Sequence, residues 1–249
     1  MLPRRKKHYV KVLFHQHWFK GKRQNIFYGN FGNIKSFHSF VPIKLNMEVK
    51  ERIRIKADEL FRRLGIRSVT MDDIASQLGI SKKTIYLYYS DKDEIVDAVV
   101  TNIITDNRNT CEHDRSIAKN AIEEVFFMMD MTKKMFEDMN PSILYDLERN
   151  HPSPFQKFLQ HKHNYIYEAM KDNLTRGIRE ELYRKEINIE IIARMRLETM
   201  MLSFDQAVYP KAKYNLLDVE QQVIQHYLYG IASLKGHKLI LKYQKERKN

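Results

Sequence analysis

The chain has little of several features that stabilise or anchor particular classes of protein. Cys111 is the only cysteine among 249 residues, so no intrachain disulfide can form and a zinc site built on several thiolates is excluded. No apolar run approaches the roughly 18 to 20 residues that a membrane-spanning helix needs. The apolar stretch from Val10 to Phe14 is too short for the core of a signal peptide. We therefore expect a protein of the reducing cytoplasm with no membrane partner.

Acidic residues are absent from the first 46 positions. Ten of the 43 Lys and Arg residues lie there, which leaves 33 basic against 31 acidic residues in the remainder. The net charge of +12 is therefore no evidence that the folded part binds nucleic acid. We expect residues 1–46 to be a basic, disordered extension, because they lack helical periodicity.

Two interpretations of residues 1–46 remain open. The segment is rich in Lys, Asn, Ile, Phe and Tyr, which AT-rich DNA encodes by default. This composition favours a mis-assigned start, with translation beginning at Met47. The alternative is a basic, aromatic arm that follows DNA phosphates or a minor groove.

Motifs of catalysis and metal binding are missing from the sequence. It contains no G-x-S-x-G, P-loop, dinucleotide fingerprint or HExxH pattern. His161 and His163 lie two residues apart on a predicted helix and point in different directions, so they are poor co-ligands for a metal. The adjacent acids Glu123 and Glu124 likewise face apart. We predict that the protein is not an enzyme and has no catalytic residues, no metal site and no cofactor.

Residues 68–92 contain two short helices joined by a tight turn. Thr70 has the chemistry of a helix N-cap, and acidic residues follow it in the first turn. Gly79 suits the position after the helix, where a left-handed backbone is needed. Ser81 then caps a second helix. This order of signals predicts a helix-turn-helix whose second helix enters a DNA major groove.

The second helix has one face that should pack inward and one that should face solvent. Ile85 and Tyr89, four residues apart, would face the interior, which leaves Tyr86 on the outside. Lys92 stands at the start of the next helix, where its ammonium group could meet the DNA backbone. The residues predicted to contact DNA from these helices are Ser81, Lys82, Lys83, Thr84, Tyr86 and Lys92.

Residues from Met47 to about Val99 resemble the N-terminal domain of TetR-type (tetracycline repressor-like) transcriptional regulators. The residues that carry the resemblance are Ile53, Ala57, Leu60-Phe61, Leu64-Gly65, Val69-Thr70, Ile74-Ala75, Leu78-Gly79-Ile80-Ser81, Thr84-Ile85-Tyr86, Tyr88-Tyr89 and Lys92-Asp93-Glu94-Ile95. The DNA-contact positions that the resemblance implies are Thr70, Lys82, Lys83, Thr84, Tyr86, Tyr88 and Lys92. Lys83 departs from the family, which often has a small residue there. The function that the resemblance implies is a dimeric repressor released from a palindromic operator by a small ligand.

The pattern after Asp93 is helical throughout, so we predict an all-α fold. It would consist of a three-helix DNA-binding domain over residues 47–93 and a helical effector-binding and dimerisation domain over residues 94–249. One C-terminal helix should begin at Asn188, and the last should be capped by Asp218 and end before Gly236. Their apolar faces are broad enough to bury more than one side, which predicts a homodimer. The resemblance implies the same.

Methionine and aromatic residues are concentrated in the middle of the chain, where they suit a pocket for a small effector because Met adapts to irregular ligands. The candidate pocket residues are Phe126, Phe127, Met131, Met135, Tyr145, Phe158, Tyr165 and Met201. The alternative for each is an ordinary core position. Two other functions also stay open. One is a ligand-insensitive, nucleoid-type architectural DNA-binding protein, and the other is a helical interaction module without DNA binding.

Overall fold

Helices form the framework of residues 48–247, which are the residues that this computed structural model describes. They are α1 (Val49–Leu64), α2 (Met71–Leu78), α3 (Lys82–Tyr86), α4 (Lys92–Ile117), α5 (Ala121–Phe136), α6 (Ile143–Asn150), α7 (Pro152–His161), α8 (Tyr167–Arg179), α9 (Ile189–Leu202), α10 (Leu216–Ile231) and α11 (Leu234–Glu246). Within this range no strand occurs, and Tyr183 and Ala232 form one isolated antiparallel bridge. The all-α prediction is confirmed. The predictions for residues 1–46 lie outside the described residues.

A π-helical turn, Lys162–Ile166, joins α7 to α8 without a break in the helical path. The wider turn accommodates an extra residue. Both His161 and Lys162 are buried at this point, although they are neighbours in the sequence. His161 is fixed by Asn107 of α4, whose Oδ1 lies 2.8 Å from its Nε2.

The C-terminal helices differ from the prediction in two ways. The cap of α10 is Asn215 rather than Asp218, because the Asn215 Oδ1 accepts hydrogen bonds from the backbone N–H groups of Leu217 and Asp218 at 2.9 and 3.2 Å. Gly236 does not mark the end of the last helix but lies in the first turn of α11. A Cβ atom there would lie 2.1 Å from the carbonyl oxygen of Leu182, so glycine permits close packing of α11.

Buried apolar side chains form two hydrophobic cores. The head core is built mainly from α1 to α4 and contains Ile53, Ala57, Leu60, Phe61, Ile66, Val69, Met71, Ile74, Ala75, Ile85, Tyr89, Ile95, Val96, Val99, Val100 and Leu147. The body core is built from α5 and α8 to α11 and contains Ala121, Ile122, Val125, Phe126, Tyr167, Met170, Leu174, Leu182, Tyr183, Ala193, Leu197, Ile224, Tyr227, Leu228, Ile231, Ala232 and Ile240. Each core removes enough apolar surface from water to organise its own group of helices.

The head core extends beyond residue 93, where the sequence placed a domain boundary. The first half of α4 contributes four buried residues to it, and Leu147 of α6 is buried in the same core. α4 therefore belongs to the head at its start, and it also packs on α7 and on α5, a helix of the body core. In residues 48–247 no helix is long and apolar enough to cross a bilayer.

Candidate nucleic-acid interface

Reciprocal side-chain caps hold the first helix of the motif. The Thr70 Oγ1 accepts from the backbone N–H of Asp73 at 3.1 Å, and the Asp73 Oδ2 accepts from the backbone N–H of Thr70 at 2.8 Å. The Thr70 hydroxyl also donates to the Asp73 Oδ2 at 2.7 Å, and this hydrogen bond, together with the one from the Thr70 backbone N–H, lowers the pKa of Asp73. Gly79 then adopts a left-handed backbone, with φ of 67°, and turns the chain toward α3. These contacts confirm the predicted cap and turn. Both satisfy backbone N–H or C=O groups that the end of a helix leaves without a partner.

Ser81 caps α3, and its Oγ accepts from the backbone N–H of Thr84 at 3.0 Å. The hydroxyl groups of Ser81 and Thr84 also lie 2.8 Å apart and share a hydrogen bond. Ile85 and Tyr89 are buried in the head core, as the four-residue spacing predicted. This anchoring fixes which side of α3 turns outward.

The outward side of α3 combines cations with apolar surface. Lys82 and Lys83 are exposed in its first turn, and the Lys82 Nζ lies 2.8 Å from a carboxylate oxygen of Asp72 on α2. The side chain of Tyr86 is 48% exposed and that of Leu87, the next residue, is 73% exposed. Leu87 was not among the predicted contact residues. It follows the outward-facing Tyr86 and does not belong to the inward-facing pair Ile85 and Tyr89, and this could have predicted that its side chain is exposed. These four residues form what we call the α3 face.

Lys92 and Tyr88 are less accessible than the α3 face. The Lys92 Nζ donates a hydrogen bond of 2.6 Å to the carbonyl oxygen of Ile66 in the loop between α1 and α2. It also lies 5.9 Å from the centre of the Phe61 ring. Burial lowers the pKa of this ammonium group. Lys92 therefore braces the head internally, and its predicted phosphate contact stays a prediction, as do the contacts of Thr70 and Tyr88.

Polar contacts join α6 and α7 to the loop that follows α1 and to the first turns of α4. The buried Asp146 of α6 accepts a hydrogen bond of 3.0 Å from the backbone N–H of Arg67. Directly after α6, the buried His151 pairs through its Nδ1 with Asp93 in the first turn of α4. Lys157 of α7 pairs with Asp97 at 2.7 Å. Sequence patterns did not indicate these contacts, because each joins residues about 60 to 80 positions apart.

The candidate effector residues lie in separate environments. Phe126 is buried in the body core, with its ring 5.6 Å from that of Tyr243. Phe158 instead stacks on Phe155 and packs against the head core. Tyr145 is 58% exposed on α6, and its place in an effector pocket stays a prediction.

The remaining candidates are partly buried and have mixed neighbours. The Tyr165 ring stacks on His161 at 5.3 Å, and its hydroxyl donates to the carbonyl oxygen of Arg108. The Met131 sulfur lies 3.8 Å from the side-chain nitrogen of Asn107. The half-buried members of the set are Phe127, Met131, Met135, Phe158, Tyr165 and Met201. Two surface clefts in the described range, one beside α11 and one beside Ser203, are lined by none of the eight candidates.

Comparison with known proteins agrees with the geometry that residues 70–89 form a helix-turn-helix. Residues 53–99 match the family model described as bacterial regulatory proteins, tetR family. The helix-turn-helix-type transcriptional regulator YvaF of Bacillus subtilis is 35% identical over 103 residues. That match covers 41% of this chain and 53% of YvaF, so the chain spans about half the length of this curated relative. The prediction that the protein is not an enzyme is confirmed, since these matches are transcriptional regulators.

Solved structures extend the likeness of fold to most of the described chain. A TetR-family regulator from Agrobacterium tumefaciens is similar with a TM-score of 0.62 at 14% identity, covering 74% of this chain and 97% of that one. SmeT, the repressor of the Stenotrophomonas maltophilia multidrug efflux pump SmeDEF, is similar with a TM-score of 0.57 at 16% identity, covering 76% and 92%. At these identities the likeness establishes the fold alone. The helix-turn-helix geometry and the family-model match together identify residues 53–99 as a domain of the tetR family of bacterial regulatory proteins.

Proposed function

We propose that the protein is a homodimeric transcriptional repressor that binds a palindromic operator and leaves it when a small ligand enters the body. The observation that carries the DNA-binding part is the α3 face. Lys82 and Lys83 supply cations for phosphates, and Tyr86 and Leu87 supply apolar surface suited to the methyl groups of thymine. SmeT, which has the same fold, is a repressor, and this supports the direction of regulation.

An exposed apolar stripe on α9 supports the homodimer. Ile191, Met195 and Leu202 are 63%, 47% and 38% exposed. Their spacing places them on one side of the helix, opposite the buried Ala193 and Leu197. The exposed Glu198 lies on the same side and pairs with the buried Lys162 at 3.0 Å. A second copy that covered this α9 stripe would remove it from water and pair the helices of two bodies. A dimer so formed would set two α3 faces into successive major grooves, about 34 Å apart or a multiple of that distance.

Ligand release would act through α4, which is shared by the head core and the contacts of the body. A ligand that favours one position of α4 would change the separation of the two heads and weaken operator binding. Such a ligand must bind the two arrangements with different affinity, or the equilibrium does not move.

Fluorescence anisotropy tests the DNA-binding part directly. The protein is titrated onto labelled DNA from its own upstream region with excess random competitor near 0.15 M salt. Wild type is compared with Tyr86→Ala and with the control Tyr145→Ala, which removes a similarly exposed tyrosine from α6. We expect saturable binding that survives competitor, is weakened at least tenfold by Tyr86→Ala and is unchanged by Tyr145→Ala.

Equal binding by all three proteins, abolished by competitor, would contradict a sequence-specific repressor acting there. It would favour a nucleoid-type binder that contacts DNA phosphates alone.

A further inference from the structure

A cleft lies on the surface of the body between α11 and the segment that precedes α9. Its volume is about 470 Å³, and it is lined by Leu182, Leu234, Lys235, Lys238, Leu239 and Lys242. Pockets that hold small molecules commonly have volumes of roughly 300 to 1,000 Å³. None of the eight candidate effector residues lines this cleft, which we call the α11 cleft. It is therefore a separate candidate site with room for a small molecule.

Backbone contacts hold the two walls of the α11 cleft together. The carbonyl oxygen of Leu182 accepts a hydrogen bond of 2.9 Å from the backbone N–H of Ser233, and the N–H of Arg184 donates to the carbonyl oxygen of Ile231 at 2.9 Å. Gly236 allows α11 to approach this segment, because a Cβ atom there would lie 2.1 Å from the Leu182 carbonyl oxygen. The position of one wall relative to the other is thus fixed by the fold.

The surface that the α11 cleft presents to solvent is mostly apolar. Leu182 is buried at its base, Leu239 is half-buried, and Leu234 is 86% exposed. The methylene stems of lysine also cover apolar surface while their ammonium groups stay in water. An alkyl chain lying in the cleft would remove this apolar surface from water, which favours binding.

Three ammonium groups stand around the apolar surface of the cleft. Lys238 has no hydrogen-bond or ion-pair partner among residues 48–247. The Lys242 Nζ lies 3.8 Å from a carboxylate oxygen of Glu246, and the Lys235 Nζ lies 3.4 Å from one of Glu181. Both of these carboxylates are exposed, and exposed ion pairs contribute little to stability. A ligand anion can therefore compete with them for the lysines.

The positive charge is local to α11. This helix carries four lysines and one acidic residue, Glu246, whereas residues 47–249 as a whole contain 33 basic and 31 acidic residues. A local excess of one sign raises the concentration of ions of the other sign beside it. An anion is thus drawn to this face of the body in particular.

We infer that the α11 cleft binds a single-chain anionic amphiphile, with its alkyl chain on the leucines and its head group at Lys238 and Lys242. Lysine offers a mobile point charge and not the planar fork with which arginine recognises a particular anion. The head group is therefore selected by its charge and not by its geometry, so a carboxylate and a sulfate should bind alike.

A free amphiphile suits this face better than a membrane surface does. A helix that lies in a bilayer inserts its broad apolar face among the lipids. In α11 that face is turned inward, since Ile240 is fully buried and Tyr243 packs against the body core. The inference does not depend on the proposed repressor function, because it concerns binding to the body alone.

Four probes with the same ten-carbon chain test the inference: decanoate, decyl sulfate, decan-1-ol and decyltrimethylammonium. Their binding to the full-length protein is measured without DNA by titration calorimetry at pH 7.5, below the concentration at which each probe forms micelles. We expect decanoate and decyl sulfate to bind saturably with similar affinity. Both should bind about tenfold more tightly than the alcohol or the cation, because only they gain the attraction of the lysines.

The double variant Lys238→Gln with Lys242→Gln locates the site. It should weaken the binding of both anions about fivefold, the effect of losing two exposed ion pairs. Lys235 is left in place because its ammonium also donates to the carbonyl oxygen of Glu180 at 2.9 Å. The control is Lys211→Gln with Lys245→Gln, which removes the same charge from exposed positions outside the cleft and should leave both affinities unchanged. All four lysines are exposed, so both variants should fold, and their unfolding temperatures check this.

Three results would each overturn the inference. Equal anion affinity in wild type and in Lys238→Gln with Lys242→Gln would place anion binding elsewhere in the chain. Equal binding of all four probes would mean that the lysines select nothing. Binding to phosphatidylglycerol vesicles without binding of monomeric decanoate would assign this face to a membrane surface. Because no DNA is present, none of these results bears on operator binding.

Discussion

Two lysines of the head show how differently one residue type can be used. Lys83 is exposed on the α3 face, whereas the ammonium of Lys92 is hydrogen-bonded to the carbonyl oxygen of Ile66. A phosphate contact depends on a charge that can reach the DNA, and a brace depends on a charge held inside the head. The two roles can be separated by measuring salt dependence and stability in the same variants.

We predict that Lys83→Ala lowers the slope of log affinity against log salt by about one, as the loss of a phosphate contact does, and leaves stability unchanged. Lys92→Ala should cost about 1 to 3 kcal/mol of unfolding free energy, because it leaves the buried carbonyl of Ile66 without its partner. Anisotropy at several salt concentrations and urea unfolding are the measurements. If Lys92→Ala lowers the slope by about one as well, Lys92 contacts phosphate in addition to bracing the loop. A slope unchanged in Lys83→Ala would contradict its assignment.

His161 makes stability depend on pH. Burial, together with nearby Arg108, lowers the pKa of its imidazole to about 4. The unfolded chain takes up this proton near pH 6.5, whereas the folded chain resists it until about pH 4. The stability from neutral His161 is therefore complete above pH 6.5 and is lost as the pH falls from 6.5 toward 4.

We expect the unfolding temperature to fall less between pH 7.5 and pH 5 in His161→Gln than in wild type. His163→Gln is the control, because His163 is exposed in the same π-helical turn. If the unfolding temperature falls equally in wild type and in His161→Gln, the imidazole takes up its proton at the same pH in the folded and the unfolded chain.

At the scale of the element, α11 is the largest departure from what the sequence predicted. Its Ile240 is fully buried in the body core, and the neighbouring Leu241 is 59% exposed. We predict that Ile240→Ala lowers the unfolding free energy by about 2 to 5 kcal/mol, the usual cost of truncating a buried aliphatic side chain. Leu241→Ala, the matched control, should change it by less than about 0.5 kcal/mol. Urea unfolding distinguishes the two, and equal small effects would mean that α11 detaches without cost.

The helix-turn-helix could be predicted from the sequence because its determinants are local. The Thr70 cap, the turn at Gly79 and the buried pair Ile85 and Tyr89 each act within a few residues. The remainder depends on partners distant in sequence. Gly236 signalled a helix end but is required by the close approach of Leu182.

The candidate site was only partly predictable for the same reason. Lys92 could be placed at the start of α4, but the Ile66 carbonyl that receives its hydrogen bond lies 26 positions earlier in the sequence. The pairing of Arg196 with Glu220 joins two helices and has no counterpart in the spacing of either one. The eight pocket residues were chosen by type alone, and type does not distinguish the buried Phe126 from the exposed Tyr145.

For the whole molecule, the α9 stripe gives a direct test of assembly. We predict that Met195→Glu yields a monomer and weakens operator binding at least a hundredfold, because a charge at the centre of an apolar interface is not neutralised there. Leu234→Glu is the control, since Leu234 is 86% exposed on α11 and lies outside the stripe. Light scattering at micromolar concentration gives the mass of each variant. A wild type that is already monomeric would contradict the dimer, and a dimeric Met195→Glu would place the interface elsewhere.

The loop after α1 limits how freely the head can be exchanged with that of a relative. Gly65 has a φ of 86°, and a Cβ atom there would lie 3.0 Å from both the Asp146 Oδ2 and the Ser142 Oγ. The same Asp146 oxygen receives the N–H of Arg67. A chimera with a foreign head would therefore need glycine at this position and a loop that offers the same N–H group. Without them the graft would clash with α6 or leave a buried carboxylate unsatisfied, so a head that is exchanged should carry its own α6 with it.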